Sequence, residues 1–127
     1  MRRELLLRRE LERDTQILKD NYGPEKIILF GSLASGNIKE WSDLDLVVVK
    51  QTDKPFLDRL KDIFLLLKPQ IGIDVLVYTP VEFEEMKKRP FFQKEILEKG
   101  NVIYDRDKGL DCSGLRGFKA MIDTLSN

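Results

Sequence analysis

The sequence contains no histidine and only one cysteine, Cys112. The first absence removes Ser-His-Asp and Cys-His nucleophile systems and the histidine-containing zinc sites. The second removes four-thiolate zinc and any internal disulfide. A prevailing charge is lacking too, because 22 basic residues are matched by 22 acidic ones over 127 positions. A chain without net charge exerts no overall pull toward nucleic acid or an anionic membrane surface. Long apolar runs are missing: Leu44 to Val49 carries an acid within it and falls far short of the roughly 20 residues needed to span a bilayer. Met1-Arg2-Arg3-Glu4 leads into a charged amphipathic stretch and not into a secretion signal, so a cytoplasmic protein is expected. Repeats, low-complexity tracts and linkers are absent, and the length suits one domain.

What remains is carboxylate, hydroxyl and basic chemistry. Carboxylate oxygens are hard ligands, so a metal enzyme built from these residues would use magnesium, or manganese in its place.

Leu7, Leu11 and Leu18 are spaced by four and seven among charged residues, which predicts an amphipathic helix from Arg2 to about Asn21. Gly23-Pro24 stops it, since glycine takes the left-handed C-terminal position and proline cannot continue a helix. Lys26 to Phe30 reads as a buried strand that ends at Gly31-Ser32, followed by a single helical turn around Leu33 to Gly36. Asp43 to Lys50 reads as a second strand, with Val47-Val48-Val49 apolar enough to be covered on both faces. Phe56 to Leu67 has helical spacing after Pro55, and Ile71 to Tyr78 is a third strand. Thr79-Pro80 with Glu82 caps a further helix that Pro90 interrupts, Phe92 to Glu98 forms a short helix closed by Gly100, and Asn101 to Tyr104 is a fourth strand. The expected fold class is α+β, a mixed sheet flanked by helices. Residues 1–105 make the domain, and the tail 106–127 is either disordered or a short helix around Phe118, Met121, Ile122 and Leu125.

Asp43 and Asp45 open the second strand. Alternation along a strand sends both carboxylates off one face. Like charges held that close raise each other's pKa unless a cation neutralises them, so the pair suits a metal cradle better than bare structure. Asp74 sits inside the apolar run Gly72-Ile73-Asp74-Val75, where a buried carboxylate needs a partner or a metal. If the third strand lies beside the second, three carboxylates can hold two divalent ions about 3.5–4 Å apart. An isolated Asp-x-Asp ordinarily caps a turn or faces solvent, and an isolated Gly-Ser ordinarily ends a strand. Here Gly31-Ser32 stands where a strand meets a helical turn, offering backbone N–H groups and a hydroxyl to phosphate. The two acids follow after a ten-residue spacer.

These residues resemble the minimal nucleotidyltransferases, the smallest members of the DNA-polymerase-β-like superfamily. The resemblance rests on Phe30-Gly31-Ser32, the spacer, Ser42-Asp43-Leu44-Asp45-Leu46-Val47-Val48 and Ile73-Asp74-Val75, with an echo in Glu95 to Tyr104. It implies a polymerase-β-type nucleotidyltransferase fold with the metal site at one end of the strands. Asp43 and Asp45 would bridge two magnesium ions, Asp74 would bind the ion that activates the acceptor hydroxyl, and Gly31 and Ser32 would grip the β and γ phosphates of a nucleoside triphosphate, with ATP as donor. One departure is that Leu33-Ala34-Ser35 lacks the arginine that many family members have after Gly-Ser. Lys39 and Lys50 could substitute electrostatically but read first as solvated lysines, and Trp41 could stack on a base or pack its own loop.

The resemblance also implies a partner. Stand-alone proteins of this kind act as antitoxins paired with a HEPN-family ribonuclease toxin and transfer AMP to a toxin tyrosine. The chain has no evident acceptor domain, and its balanced charge favours a protein acceptor over direct nucleic-acid binding. Two alternatives stand beside this: a catalytically weak or inactive antitoxin that neutralises by binding, and transfer to a small molecule, which would require a homo-oligomer to build the pocket.

Overall fold

The computed structural model describes residues 2–112. Along them run α1 (Arg2–Asn21), β1 (Lys26–Phe30), α2 (Gly31–Ser35), β2 (Leu44–Val49), α3 (Phe56–Leu67), β3 (Ile73–Tyr78), α4 (Pro80–Met86), α5 (Pro90–Phe92) continuing into a π-helical turn (Gln93–Glu98), β4 (Asn101–Asp105) and β5 (Leu110–Asp111). The strands form one five-stranded sheet in the order β3-β2-β1-β4-β5. β2 and β3 are parallel and joined through α3, while the other pairs are antiparallel, so the sheet is mixed. None of the described helices is long and apolar enough to cross a membrane.

Strand alternation divides the core into two layers. Ile27, Leu29, Leu46 and Val48 point to the side covered by α1 and α3, where they meet Leu7, Leu11, Leu18, Ile63 and Leu67. Ile28, Val47 and Val49 point the other way, onto Phe83, Phe92 and Ile96 of α4, α5 and the π-helical turn. β2 is therefore covered on both faces, as Val47-Val48-Val49 implied.

The helix stops follow the expected chemistry. Gly23 has φ +70°, and Tyr22 N donates to Leu18 O at 2.9 Å. Thr79 makes a full capping box with Glu82 at the start of α4. Arg59, buried within α3, donates to Val77 O and to Glu82, tying α3 to the end of β3 and the start of α4. Two features differ from the sequence reading. Phe92 to Glu98 is not a regular helix but includes a π turn, with Lys99 N bonded to Lys94 O. Residues 106–111, read as the start of the tail, turn back at Gly109 (φ +70°) and pair as β5 on β4. The helix expected around Phe118 to Leu125 lies outside the described residues.

α1 is clamped at its middle by a buried polar cluster. Arg13 pairs with Glu10 at 3.0 Å and Asp14 at 2.9 Å and donates to the carbonyls of Leu67 and Lys68, while Gln70 N donates to Glu10 at 3.2 Å. Burial first, and then the hydrogen bond and charge of Glu10, push Asp14 up to about 9 against the opposing pull of Arg13. The cluster fixes α1 against the loop that leads into β3.

Gly100 tests the packing directly. A Cβ there would stand 2.9 Å from Leu29 O and closer still to Ile96 O, both of them main-chain atoms. Gly100→Ala is expected to lower stability by about 1–3 kcal/mol, read as a reduced urea midpoint with an unchanged slope. A mutant as stable as wild type would contradict this packing.

Candidate active site

β2 brings the candidate carboxylates together through its two registers. Asp45 stands opposite Phe30 of β1 on one side and opposite Asp74 of β3 on the other. By alternation Asp45 and Asp74 leave from the face of Val47, Val49, Leu76 and Tyr78, beyond the end of that apolar layer. Asp45 is half-buried, whereas Asp74 is exposed. The sequence reading of Asp74 as a buried carboxylate is thus corrected: β3 is an edge strand, and its first residues lie past the helices that cover its other end. Asp43 precedes β2, where Leu44 N donates to Gly72 O at 3.0 Å, and its side chain is also largely exposed.

Two glycines make room for two of these acids. A Cβ at Gly31 would stand 2.8 Å from the carboxyl carbon of Asp45, and a Cβ at Gly72 would stand 2.8 Å from that of Asp43. Any side chain at either position would drive a carboxylate out of place. Gly31 also has φ +76°, which an L-residue adopts only under strain. The short α2 begins at Gly31 with Phe30 before it, which supplies no side-chain cap, so its leading N–H groups lack that partner. Gly31 and Ser32 thus flank the carboxylates on the β1 side.

Burial first, then the charges of Asp74 and Asp43, push Asp45 up to about 6. The donor chemistry fits a hard divalent cation: carboxylate oxygens, one half-buried and held up by like charge, against glycine surfaces. Among the described residues, however, no three His, Cys, Asp or Glu side chains are gathered closely enough to hold a metal ion. Asp43 faces Arg3, whose Nη2 lies 3.8 Å from Asp43 Oδ1. Arg3 is itself set by donating from Nε to Ser42 O at 2.8 Å.

Arg3 and Gly72 were not singled out from the sequence. Gly72 could have been, as a glycine directly before Ile73-Asp74. Arg3 carried no such signal, since only tertiary packing brings α1 to Ser42. Lys50 is spent elsewhere, over the Tyr22 ring at 4.6 Å and bonded to Tyr22 O. Trp41 is 77% exposed, so it does not pack its own loop and stands free two residues before Asp43.

Residues 12–109 match the family described as Polymerase beta, Nucleotidyltransferase. A protein of Methanocaldococcus jannaschii named "Putative protein adenylyltransferase MJ0604" is 35% identical over 83 residues, covering 63% of this chain and 78% of its own. A second from that organism, "Putative protein adenylyltransferase MJ1305", is 35% identical over 112 residues, 82% of this chain and 76% of its own. Among solved structures, a "putative nucleotidyltransferase" from Sulfolobus solfataricus superposes with a TM-score of 0.54 at 19% identity, covering 86% of each chain. A chain from a crystal structure described as "the toxin-antitoxin with AMP-PNP" superposes with a TM-score of 0.51 at 14% identity, covering 93% of this chain and 82% of its own. At those identities the two structures speak for the fold.

The Asp45 shift sets a pH dependence. Because its folded value is raised, metal-free protein is favoured while Asp45 is protonated and loses that contribution as pH rises from about 4 through about 6. Melting curves should show a fall in Tm over that window that Asp45→Asn reduces, the remainder coming from Asp14, which is raised as well. Magnesium should raise Tm more at pH 7.5 than at pH 5, and Gly72→Ala, by displacing Asp43, should blunt that gain. Equal magnesium stabilisation at both pH values would count against a carboxylate site.

Proposed function

The chain belongs to the polymerase-β nucleotidyltransferase family, and from that premise we propose that it transfers AMP from ATP to a hydroxyl of a partner protein. The observation that carries this reading is the placement of Asp45 between Gly31, at the junction of β1 and α2, and Asp74 on β3. One side offers main-chain N–H groups to phosphate, and the other offers a second carboxylate to the incoming nucleophile. Both relatives are named for protein adenylylation, which favours a protein acceptor over a small molecule. The toxin-antitoxin structure with AMP-PNP favours an antitoxin acting on its toxin. The finer assignment, a tyrosine of a HEPN-family ribonuclease toxin, extends the resemblance in the sequence.

In this mechanism Gly31 N–H, Ser32 N–H and the Ser32 hydroxyl hold the β and γ phosphates and stabilise the departing pyrophosphate. Asp43, Asp45 and Asp74 would hold two magnesium ions, which supply charge neutralisation at the α phosphate and lower the pKa of the acceptor hydroxyl. Asp45 and Asp43 would hold their share of the metal at the β2 end, where the α phosphate lies, and Asp74 would hold its share on the side from which the acceptor comes. The hydroxyl oxygen bonds to the α phosphorus as the bond to the bridging oxygen breaks, and the acceptor proton leaves to solvent. No histidine is available as a base, so positioning and charge carry the rate.

Incubation with the cognate toxin, ATP and magnesium should add one or more AMP units to the toxin by intact mass. Asp45→Asn should lower kcat/KM by on the order of a hundredfold or more. A toxin that gains no mass with any nucleoside triphosphate would refute the transfer. Because Leu33-Ala34-Ser35 supplies no arginine beside the phosphates, neutralisation by binding alone is the second reading. It predicts that the Asp43→Asn, Asp45→Asn double variant still protects cells from the toxin.

A further inference from the structure

On the α1 face of the sheet, joined to the carboxylates through Arg3 and Asp43, lies a cavity of about 460 Å³ between α1 and the loop that enters β3. Arg3, Leu6, Arg9 and Arg13 line it from α1, and Gln70 and Ile71 from the loop. These guanidinium groups have different duties. Arg13 is consumed by Glu10, Asp14 and the carbonyls of Leu67 and Lys68, so it is wall. Arg3 stands at the boundary with the site, held by Ser42 O and 3.8 Å from Asp43. Arg9 is exposed and makes no hydrogen bond or ion pair with any described residue. The one carboxylate in the lining, Glu10, is answered by Arg13 and Gln70 N. The cavity therefore presents surplus positive charge beside the apolar Leu6, itself 36% exposed.

Its position relative to the chemistry is fixed by the strand order. In an in-line displacement the nucleophile enters opposite the leaving group. With pyrophosphate leaving at Gly31-Ser32, beyond the end of β1, the acceptor arrives on the β3 side of the sheet, and Ile71 lies three residues before Asp74 in the loop that enters β3. Arg3, Leu6 and Arg9 also precede residue 12, where the family match begins.

We propose that the Arg3–Leu6–Arg9 cavity docks an acidic segment of the acceptor protein, flanking the hydroxyl that receives AMP. The inference rests on protein adenylylation as the function of the neighbouring site. Charge complementarity selects the occupant: an anionic peptide neutralises Arg9 and Arg3, and its aliphatic stems cover Leu6.

The test separates docking from chemistry. A fluorescein-labelled peptide with one tyrosine flanked by glutamates serves as probe, and its anisotropy is read against wild type, Arg9→Lys and Arg9→Glu. Arg9→Glu should weaken binding about tenfold and reduce its salt dependence, while Arg9→Lys stays near wild type. Melting temperature and the quenching of Trp41, the single tryptophan, by ATP should be unchanged in all three. Failure of the peptide to bind, equal binding by Arg9→Glu, or equally tight Arg9-dependent binding of a short oligouridylate would each overturn the proposal. Peptide binding without AMP transfer to any protein would instead overturn the functional reading and leave the docking site standing.

Discussion

The pairing of β2 with both of its neighbours is the constraint on which the rest depends. Leu44, Leu46, Val47, Val48 and Val49 are all buried, in two separate apolar layers, so a slip of one residue would send each layer's side chains to the wrong face. That register cannot relax to separate Asp45 from Asp74. The core thereby holds two like charges in line across a parallel pair, with Asp45 partly out of water, and the apolar packing sustains a repulsion that the carboxylates on their own would escape.

The surrounding residues answer that repulsion. Gly31 and Gly72 remove the methyl groups that would collide with Asp45 and Asp43, and Arg3 gives Asp43 a nearby cation. α1 is drawn into the site for this reason as well as for its apolar stripe. Its Glu10–Arg13–Asp14 cluster grips the loop that leads to β3, and its first turns overhang that loop as an arginine-bearing rim. One helix thus buries a core face, tethers a loop and flanks the candidate carboxylates.

Local patterns were legible where a single element determined its own shape. The leucine spacing of α1, the Pro55 start and periodicity of α3, the Thr79-Pro80-Glu82 cap and the apolar β2 run all matched their elements, because propensity, capping and burial pointed the same way. The placing of Gly31-Ser32 after β1 and of Asp43-Leu44-Asp45 at the start of β2 was legible for the same reason, since each position follows from the apolar run beside it. The exposure of Asp74 was not. An apolar run looks alike on an edge strand and a central one, and the difference lies in which helices reach its first residues. β5 was equally hidden, because two residues carry too little periodicity to announce a strand and form one only against β4.

The sequence by itself determined the inventory: hard carboxylate ligands without histidine or paired thiols, a glycine-serine turn after a buried strand, and helices with readable ends. Tertiary structure alone decided the order β3-β2-β1, and with it the placing of Asp74 beside Asp45, of Gly72 beneath Asp43, and of Arg3 next to residues some forty positions away. Side-chain periodicity records which face of an element is buried, whereas strand order and register depend on the packing of the whole core. The convergence of distant polar groups is a consequence of that packing.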